Sequence, residues 1–288
     1  MRHIKKVFDI EKNKEHLSLQ VVSCTDLQGQ ETERRVLDSD GRLTLQTFFT
    51  YHGSGKLSGS IAKNGSGKIL NYIEYSYDDK GRLVKRAFFN SEGQLLAYHA
   101  WLYDLEADRL LEYCKYDNTQ TFKFRKTFHY NEQGLITEER HYSSLNKLVI
   151  LKKKQYDDNG LEKGEFIYDG SDNLKARKLI IRNRYGKPIE ISWYDPSDRI
   201  QRLECFEYHD NNLLDSEIII DFFGKRSFFK HYTEFGKIEH VMRKQNRQPV
   251  AEEEYEYDSE KRLTVRKRYL IKDKKRTIIE KEMHYYET

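Results

Sequence analysis

The chain has 288 residues, of which 37% are hydrophobic and 13% aromatic, and its mean hydropathy is −0.89. This hydrophobic content is too low for a thick two-layer core, whereas the aromatic fraction, with 21 Tyr, argues against a disordered chain. The 51 basic and 47 acidic side chains nearly cancel to a net charge of +4, which is not the balance of a nucleic-acid-binding protein. We therefore expect the apolar area to be buried in thin layers.

The cysteines and the N-terminal segment predict a cellular compartment. Cys24, Cys114 and Cys205 are about ninety residues apart and form no CxxC pair, which favours a reducing environment. The first twenty residues contain no apolar signal core, and no run of eighteen apolar residues occurs. We expect a cytoplasmic protein that does not enter a membrane, although export by a route that needs no signal stays open.

Turn signals recur along the whole chain at regular spacing. A residue suited to positive φ, most often Gly, recurs in alternating steps of 12 and 14, as from Gly29 to Gly41 and on to Gly55. The 26-residue unit slips by one residue near Asp108 and is disturbed between Gly224 and Lys261. The full series is Glu15, Gly29, Gly41, Gly55, Gly67, Gly81, Gly93, Asp108, Gln120, Gly134, Asn146, Gly160, Asp172, Gly186, Asp198, Asn212, Gly224, Gly236, Arg247, Lys261 and Asp273.

The segments between these turns have the composition of β-strands. In most copies an aromatic residue lies four positions before the turn residue and a Leu, Ile or Phe lies two after it, as Tyr77 and Leu83 flank Gly81. We expect these two side chains to pack across each hairpin. About seven to nine residues remain for each strand, and no helical spacing of apolar residues is sustained. Twenty-one turns predict about 22 strands.

The predicted fold class is all-β, a single continuous antiparallel meander. A sheet of this many strands twists, so we expect it to form a curled or spiralling ribbon with a concave surface or lumen. No linker is recognisable, and we expect one β-repeat domain over 1–288, with 1–28 and 262–288 as capping strands. Whether the sheet closes is left open by the sequence.

Several turns resemble a known repeat. "YDDKGRL" from Tyr77, "YDDNGLE" from Tyr156 and "EYEYDSEKRLTVRKRY" from Glu254 resemble the YD repeats of the Rhs family, whose motif runs approximately Y-x-Y-D-x-x-G-R-L. In that family the repeats form β-hairpins that spiral into a shell around a toxin domain. The resemblance implies a hairpin fold and an association with a toxin, either enclosing or neutralising it. A weaker similarity links the chain to MORN-like scaffold repeats.

Two motifs that suggest small ligands are better explained as turns. Asp78 and Asp79 suggest a calcium loop, but the copies retain Tyr, Gly and Leu while their acidic residues vary. "GSGK" occurs from Gly53 and from Gly65, yet neither copy is followed by Ser or Thr or by a predicted helix. The histidines lack metal spacing, and no nucleophile elbow appears. We predict no cofactor, no metal and no enzymatic activity, while a catalytic site assembled across strands is not excluded.

Aromatic and basic strands provide the candidate binding residues. Large rings lie beside Lys and Arg on strands at Trp101, at Trp193, in "TFKFRKTFHY" from Thr121 and in "RSFFKHY" from Arg226. They either bind a partner or fill the groove between turns of the spiral. Residues 261–281 contain ten Lys or Arg against Asp273 and Glu280, and they follow six acids in 252–260. This basic segment either binds an acidic partner or protects an open sheet edge.

The leading hypothesis is a non-enzymatic protein-binding or scaffold module. The alternative is a nucleic-acid or carbohydrate binder that uses the aromatic and basic strands of a concave sheet. A protein partner is favoured, and the oligomeric state is not predicted. The candidate partner-binding residues are Trp101, Trp193, Phe229, His231, Arg266, Arg268, Lys272, Lys274, Lys275 and Arg276.

Overall fold

The computed structural model describes residues 2–11 and 14–287, which form 22 antiparallel β-strands, each paired with its neighbours in sequence. This confirms the all-β meander and its strand number. The strands are β1 (Arg2–Glu11), β2 (Lys14–Thr25), β3 (Glu31–Leu37), β4 (Leu43–Tyr51), β5 (Leu57–Asn64), β6 (Ile69–Tyr77), β7 (Leu83–Asn90), β8 (Leu95–Tyr103), β9 (Leu110–Asp117), β10 (Phe122–Tyr130), β11 (Ile136–Tyr142), β12 (Leu148–Tyr156), β13 (Glu162–Asp169), β14 (Leu174–Arg182), β15 (Pro188–Tyr194), β16 (Ile200–Tyr208), β17 (Leu214–Asp221), β18 (Arg226–Tyr232), β19 (Ile238–Gln245), β20 (Gln248–Tyr257), β21 (Leu263–Lys272) and β22 (Lys275–Glu287).

The turns have the predicted backbone geometry. Gly81 has a φ of 75°, and its N–H donates to the Asp78 carbonyl at 2.8 Å. The Asp78 carboxylate accepts from the Arg82 backbone N–H at 2.8 Å and from the Arg82 Nε at 2.7 Å. These bonds engage the carboxylate in shaping the turn. The turn itself therefore explains Asp78 of "YDDKGRL".

Two turn positions differ from the prediction. Glu15 lies within β2, so the turn predicted at that position was wrong. Near Gly224, the positive φ belongs to Lys225. The irregular rhythm before Lys261 arises because Asn246 and Arg247, with φ of 50° and 67°, form a two-residue turn of the kind that suits the twist of a hairpin.

Tyrosines tie neighbouring strands together at one end of the sheet. Tyr77 pairs directly with Leu83, as predicted, and its hydroxyl also donates to the Leu57 carbonyl on the preceding strand at 2.9 Å. A bond of this kind recurs at the ends of other even-numbered strands, from Tyr51, Tyr130, Tyr156, Tyr208, Tyr257 and Tyr286. In β14, Arg182 occupies this position and donates to the Glu162 carbonyl at 2.8 Å.

The sheet closes into a barrel, so the expected open spiral was wrong. β1 pairs with both β2 and β22, and the pairing with β22 runs from Arg2 opposite Glu287 to Asp9 opposite Glu280. The Lys5 Nζ lies 2.9 Å from the Glu282 carboxylate across this seam. Closure satisfies the edge hydrogen bonds that an open ribbon would leave exposed.

Closure follows from a register shift that is repeated in each unit. Val36 of β3 pairs with Leu45 of β4, and Leu45 pairs with Asn64 of β5. A row of paired residues across the sheet thus advances 28 residues over two strands, whereas the sequence repeats every 26. Two residues of shift per repeat accumulate to a shear of about 20 residues around 22 strands. With strands about 4.8 Å apart, this shear corresponds to a tilt of about 33° and a backbone diameter of about 40 Å if the section is circular.

Alternate residues of each strand face the lumen. The right-handed twist and this register place one alternating set inside, which includes Thr47 and Phe49 of β4, His99 and Trp101 of β8, Lys152 and Lys154 of β12, Trp193 of β15, Glu217 of β17 and Glu253 of β20. The buried carboxylates Glu165, Glu217, Glu253 and Glu282 all belong to it. Side chains converge on a concave surface, so crowding is expected there.

The barrel is hollow. The backbone of each strand approaches only those of its two neighbours in the ring, and no large side chain in the described residues is fully buried. The accessible surface is 18117 Å², whereas a compact protein of 34.6 kDa exposes about 13,000 Å². The excess indicates that solvent reaches both faces of a single sheet.

The basic C-terminal segment does not protect an open edge, because β22 is paired on both sides. Its charges instead face the acidic strand β20. Arg266 is 2.8 Å from Glu253, and Arg276 lies 2.8 Å from Glu252. The two opposite charge runs in the sequence are therefore largely cross-strand ion pairs.

We expect Glu282→Ala to destabilise the barrel by about 2 kcal/mol. Its carboxylate joins Lys5 of β1 and Arg266 of β21, at 2.9 and 3.1 Å, and only 10% of the side chain is exposed. Removing one partner of a fully enclosed pair costs about 3–5 kcal/mol, and the solvated lumen reduces that cost. Urea unfolding measures the effect. Glu287→Gln, which breaks the exposed pair with Arg2, is the control and should cost below about 1 kcal/mol; equal effects would contradict a special role for the seam.

The seam should also weaken in acid. His3 stacks on His284 and Tyr286, and its Nε2 lies 3.1 Å from the His284 Nδ1. Burial, then His284 and Lys5, lower the pKa of His3, with a smaller opposing effect of Glu31. Because the folded pKa lies below the unfolded value of about 6.5, this contribution to stability is present above pH 6.5 and is lost as the pH falls below it.

Urea midpoints at pH 7.5 and pH 5 measure this loss. His3→Gln should show a smaller difference between the two pH values than the unchanged chain. An identical difference in both proteins would assign the pH dependence to other groups.

Candidate lumenal binding site

An aromatic and basic surface lines the lumen across β6 to β11. One cross-strand row consists of Tyr75, Arg86, His99, Lys115 and Phe124, each paired with the next. The adjacent row runs through Trp101, Tyr113, Lys126 and His141. We call the residues of these two rows together with Phe88 the aromatic wall.

The rings of the aromatic wall contact each other in series. Trp101 lies 5.3 Å from Tyr113 between centroids, Tyr113 lies 6.4 Å from Phe124, and Phe124 lies 5.7 Å from His141. The Tyr113 hydroxyl is 3.2 Å from the His99 Nδ1. Mutual contacts hold these side chains in place without a core beneath them, so their lumenal surfaces are preorganised.

Arg86 is a cation without a counterion. Its guanidinium lies 4.7 Å from the Phe88 ring centroid and 5.6 Å from that of Tyr75. The Nε is buried and has no hydrogen-bond partner, and within the described chain no carboxylate lies at ion-pair distance from Arg86. Lys115 is exposed, lies 5.9 Å from the Phe124 centroid and forms no ion pair with the described residues either.

Many other lumenal cations are neutralised by carboxylates. Lys126 is 2.8 Å from Glu139, and Lys230 is 2.7 Å from Glu217. Further pairs join Lys154 and Lys178 to Glu162, and Arg243 and Arg266 to Glu253. His141 and then Lys126 lower the pKa of the Glu139 carboxyl to about 2 against the opposing effect of burial. Arg86 and Lys115 thus form a distinct positive sector.

Electrostatics around His99 agree with this charge distribution. Burial, then Lys115 and Arg86, lower the pKa of His99. The imidazole is therefore neutral at pH 7, which leaves it available for stacking and for the contact with Tyr113. The wall combines aromatic surface with two uncompensated positive charges.

The sequence-predicted binding residues fall in different places. Trp101 belongs to the aromatic wall, whereas Trp193 lies elsewhere on the lumen face, with the Lys178 Nζ 5.5 Å from its ring centroid. Phe229 and His231 face outward, and Arg266 and Arg268 face the lumen beside Glu253 and Glu280. The remaining candidates, Lys272, Lys274, Lys275 and Arg276, lie at and beside the β21–β22 turn.

Phe124 lies in the aromatic and basic segment from Thr121 that the sequence singled out, whereas sequence reasoning missed Arg86, His99 and Tyr113. The segment "AYHAWLY" already placed His99 and Trp101 on one face of a strand, two residues apart. Residues that lie side by side in the barrel are 28 positions apart on every second strand, whereas residues at equivalent places in the sequence repeat are 26 apart. The neighbours of His99 and Trp101 can therefore be identified only when the strand register is known.

The described residues contain no group of three or more His, Cys, Asp or Glu side chains placed to hold a metal ion. They also include no helix long and apolar enough to cross a membrane.

Comparisons with known proteins support the fold. No family model matches the chain, and the curated proteins contain no significant match. A crystal structure of TcdB2-TccC3-TEV superposes with a TM-score of 0.50 and 12% identity over 94% of this chain, and one of TcdB2-TccC3-Cdc42 with 0.49 and 12% over 92%. The chain spans 15% of the length of each. At this identity the first match shows similarity of fold alone.

A porin-like protein from Bacteroides uniformis ATCC 8492 also matches, with 10% identity and coverage of 99% of this chain and 97% of the other. Its TM-score of 0.33 is too low to bear on the structure or function of this chain.

The positive sector should be detectable by ionic quenching of Trp101 fluorescence. In a Trp193→Phe variant, we expect iodide to quench Trp101 about twofold more strongly than caesium, because Arg86 and Lys115 attract anions. Arg86→Gln should reduce this ratio, whereas Arg35→Gln on the outer face should leave it unchanged. Equal quenching by both ions would show that the wall carries no net positive potential.

Proposed function

We propose that the barrel is a non-enzymatic binding protein whose lumen receives a polypeptide partner. The observation that carries this proposal is the unfilled lumen: the aromatic wall contacts no strand on the opposite side of the ring. After side chains of about 6 Å are subtracted from each side, a clear width of about 25–30 Å remains, and a helix is about 10–12 Å wide. An extended or helical segment fits within it.

The association with a toxin is part of the proposal. The YD-like turns support membership of the YD-repeat family, in which hairpin arrays enclose a toxin domain. Similarity of fold to a TcdB2-TccC3 chain supports a hairpin array of this type. A closed barrel of 22 strands is suited to binding one segment of a toxin or of its neutraliser as a scaffold.

Nucleic-acid or carbohydrate binding is the second candidate, favoured by the stacked rings beside Arg86 and Lys115. A polyanion requires many free cations, however, and much of the lumenal positive charge is already paired. A heparin or RNA column should therefore not retain the protein at 150 mM salt; salt-sensitive retention would favour this candidate.

We further propose that the protein works in an aqueous compartment, the cytoplasm. Charged side chains occupy the outward set of many strands, including Arg35, Lys63, Lys85, Glu112, Arg140, Lys153, Arg177, Glu190 and Lys267. A basic residue facing the middle of a lipid bilayer costs about 2–4 kcal/mol. The outer face is therefore suited to water.

Blocking the lumen tests the proposed function. All three native cysteines lie on the outer face. Burial raises the pKa of Cys114 to about 11, with a further contribution from Glu112, and makes it unreactive. In a chain with Cys24→Ser and Cys205→Ser, a single reactive cysteine is introduced either in the lumen, by Ser60→Cys, or on the outer face, by Ser76→Cys. Each variant is then labelled with a polyethylene glycol maleimide.

We expect the unlabelled and outside-labelled proteins to retain a host protein in pull-downs and the inside-labelled protein to lose it. Equal retention after both labels, or no retained protein in any sample, would refute lumenal binding.

A further inference from the structure

The aromatic wall includes a charge pattern that specifies its ligand. We propose that Arg86 and Lys115, with Trp101 and Tyr113, bind a polypeptide segment in which two acidic side chains flank aromatic ones. This inference deepens the proposed function and rests on it. It assigns the segment to one sector of the lumen, between β6 and β11.

The unpaired cations determine the sign of the ligand charge. Arg86 has a buried Nε without a partner and no carboxylate at ion-pair distance among the described residues, and Lys115 likewise has none. A buried hydrogen-bonding group that is left unsatisfied is costly, so a ligand carboxylate that reaches this guanidinium gains a strong charge-assisted bond. The paired cations of β12 to β22 offer no such gain.

The number of free cations determines the ligand class. Two uncompensated charges match one or two carboxylates, whereas a nucleic acid would bring a phosphate with every nucleotide. The rings of Phe88, Trp101, Tyr113 and Phe124 supply aromatic surface that packs on apolar or aromatic side chains. An acidic and aromatic peptide fits both properties.

The row spacing determines the spacing within the peptide. Arg86 and Lys115 lie in one row on β7 and β9, with His99 of β8 between them. Two strand spacings separate their backbones by about 10 Å. A segment in the polyproline II conformation rises about 3.1 Å per residue and returns to the same face every third residue, so acidic residues at i and i+3 span this distance on one face and reach the two cations. The residues between them then lie over the ring row of Trp101 and Tyr113.

The probe is the fluorescein-labelled peptide Ser-Glu-Phe-Phe-Glu-Ser, measured by fluorescence anisotropy with the full chain. We expect saturable binding that Arg86→Gln weakens about tenfold or more and Lys115→Gln weakens to a smaller extent, because a carboxylate binds a half-buried guanidinium more strongly than an exposed ammonium group. Arg35→Gln on the outer face is the matched control and should bind normally. Peptides with Lys in place of Glu, or Ala in place of Phe, should bind at least tenfold more weakly.

The contribution of the rings is tested by Trp101→Phe, which preserves packing, and by Trp101→Leu. We expect the first variant to retain most of the affinity and the second to lose about fivefold or more, since a pair of aromatic rings attracts beyond the area that it buries. Circular dichroism and the urea midpoint of each variant establish that the barrel is folded. A folded Arg86→Gln variant that binds the peptide normally would overturn the assignment.

The outcome also separates this inference from the proposed function. If the inside label abolishes partner capture while Arg86→Gln affects neither peptide nor partner, the lumen binds the partner elsewhere and this site assignment is wrong. If the peptide fails to bind at all, the site is wrong whatever the pull-down shows. Tighter binding of an oligothymidine probe that depends on Arg86 would overturn the peptide as ligand and favour a nucleic acid.

Discussion

The structure depends on a difference between the length of the sequence repeat and the number of residues by which strand pairing advances in each repeat. The sequence repeats every 26 residues, whereas a row of paired residues advances by 28, as from Gly59 through Glu74 to Ala87. The two extra residues in each unit tilt the strands, and the sum of the tilts brings β22 beside β1. Without this shift the same hairpins would form a flatter ribbon with two free edges.

A wall one sheet thick must obtain its stability from contacts between neighbouring strands. Tyrosine hydroxyls bond to the backbone of the preceding strand, and lysine or arginine side chains lie over rings on the outer face, as Lys85 over Tyr98 at 4.9 Å and Arg177 over Tyr194 at 4.6 Å. Each contact is worth about 1 kcal/mol or less. Their repetition around a closed ring replaces the core that the composition cannot supply. Closure also pairs β1 with β22, so neither end strand has a free edge that would fray.

The sequence predicted the elements of the fold well because turns are local. A residue with positive φ and an Asp or Asn three positions before it specify a reversal of the chain without help from distant residues, and Asp78 and Gly81 illustrate this. Closure could not be predicted in the same way, since it depends on a small shift summed over the whole chain. The pairing of β1 with β22 joins residues more than 270 apart, as His3 with Tyr286.

The candidate site was only partly predictable for the same reason. Trp101 was recognised as a large ring beside charge, but its neighbours lie on other strands, and the register that brings them together is not visible in the repeat. The basic segment at the C-terminus attracted attention because its charge is concentrated in sequence. Arg86 attracts none in the sequence, since it follows Lys85 and the turns on either side contain acidic residues, yet in the barrel it has no ion-pair partner among the described residues. Net charge along a chain and uncompensated charge in a fold are different quantities, and the uncompensated charge is the one that attracts a ligand.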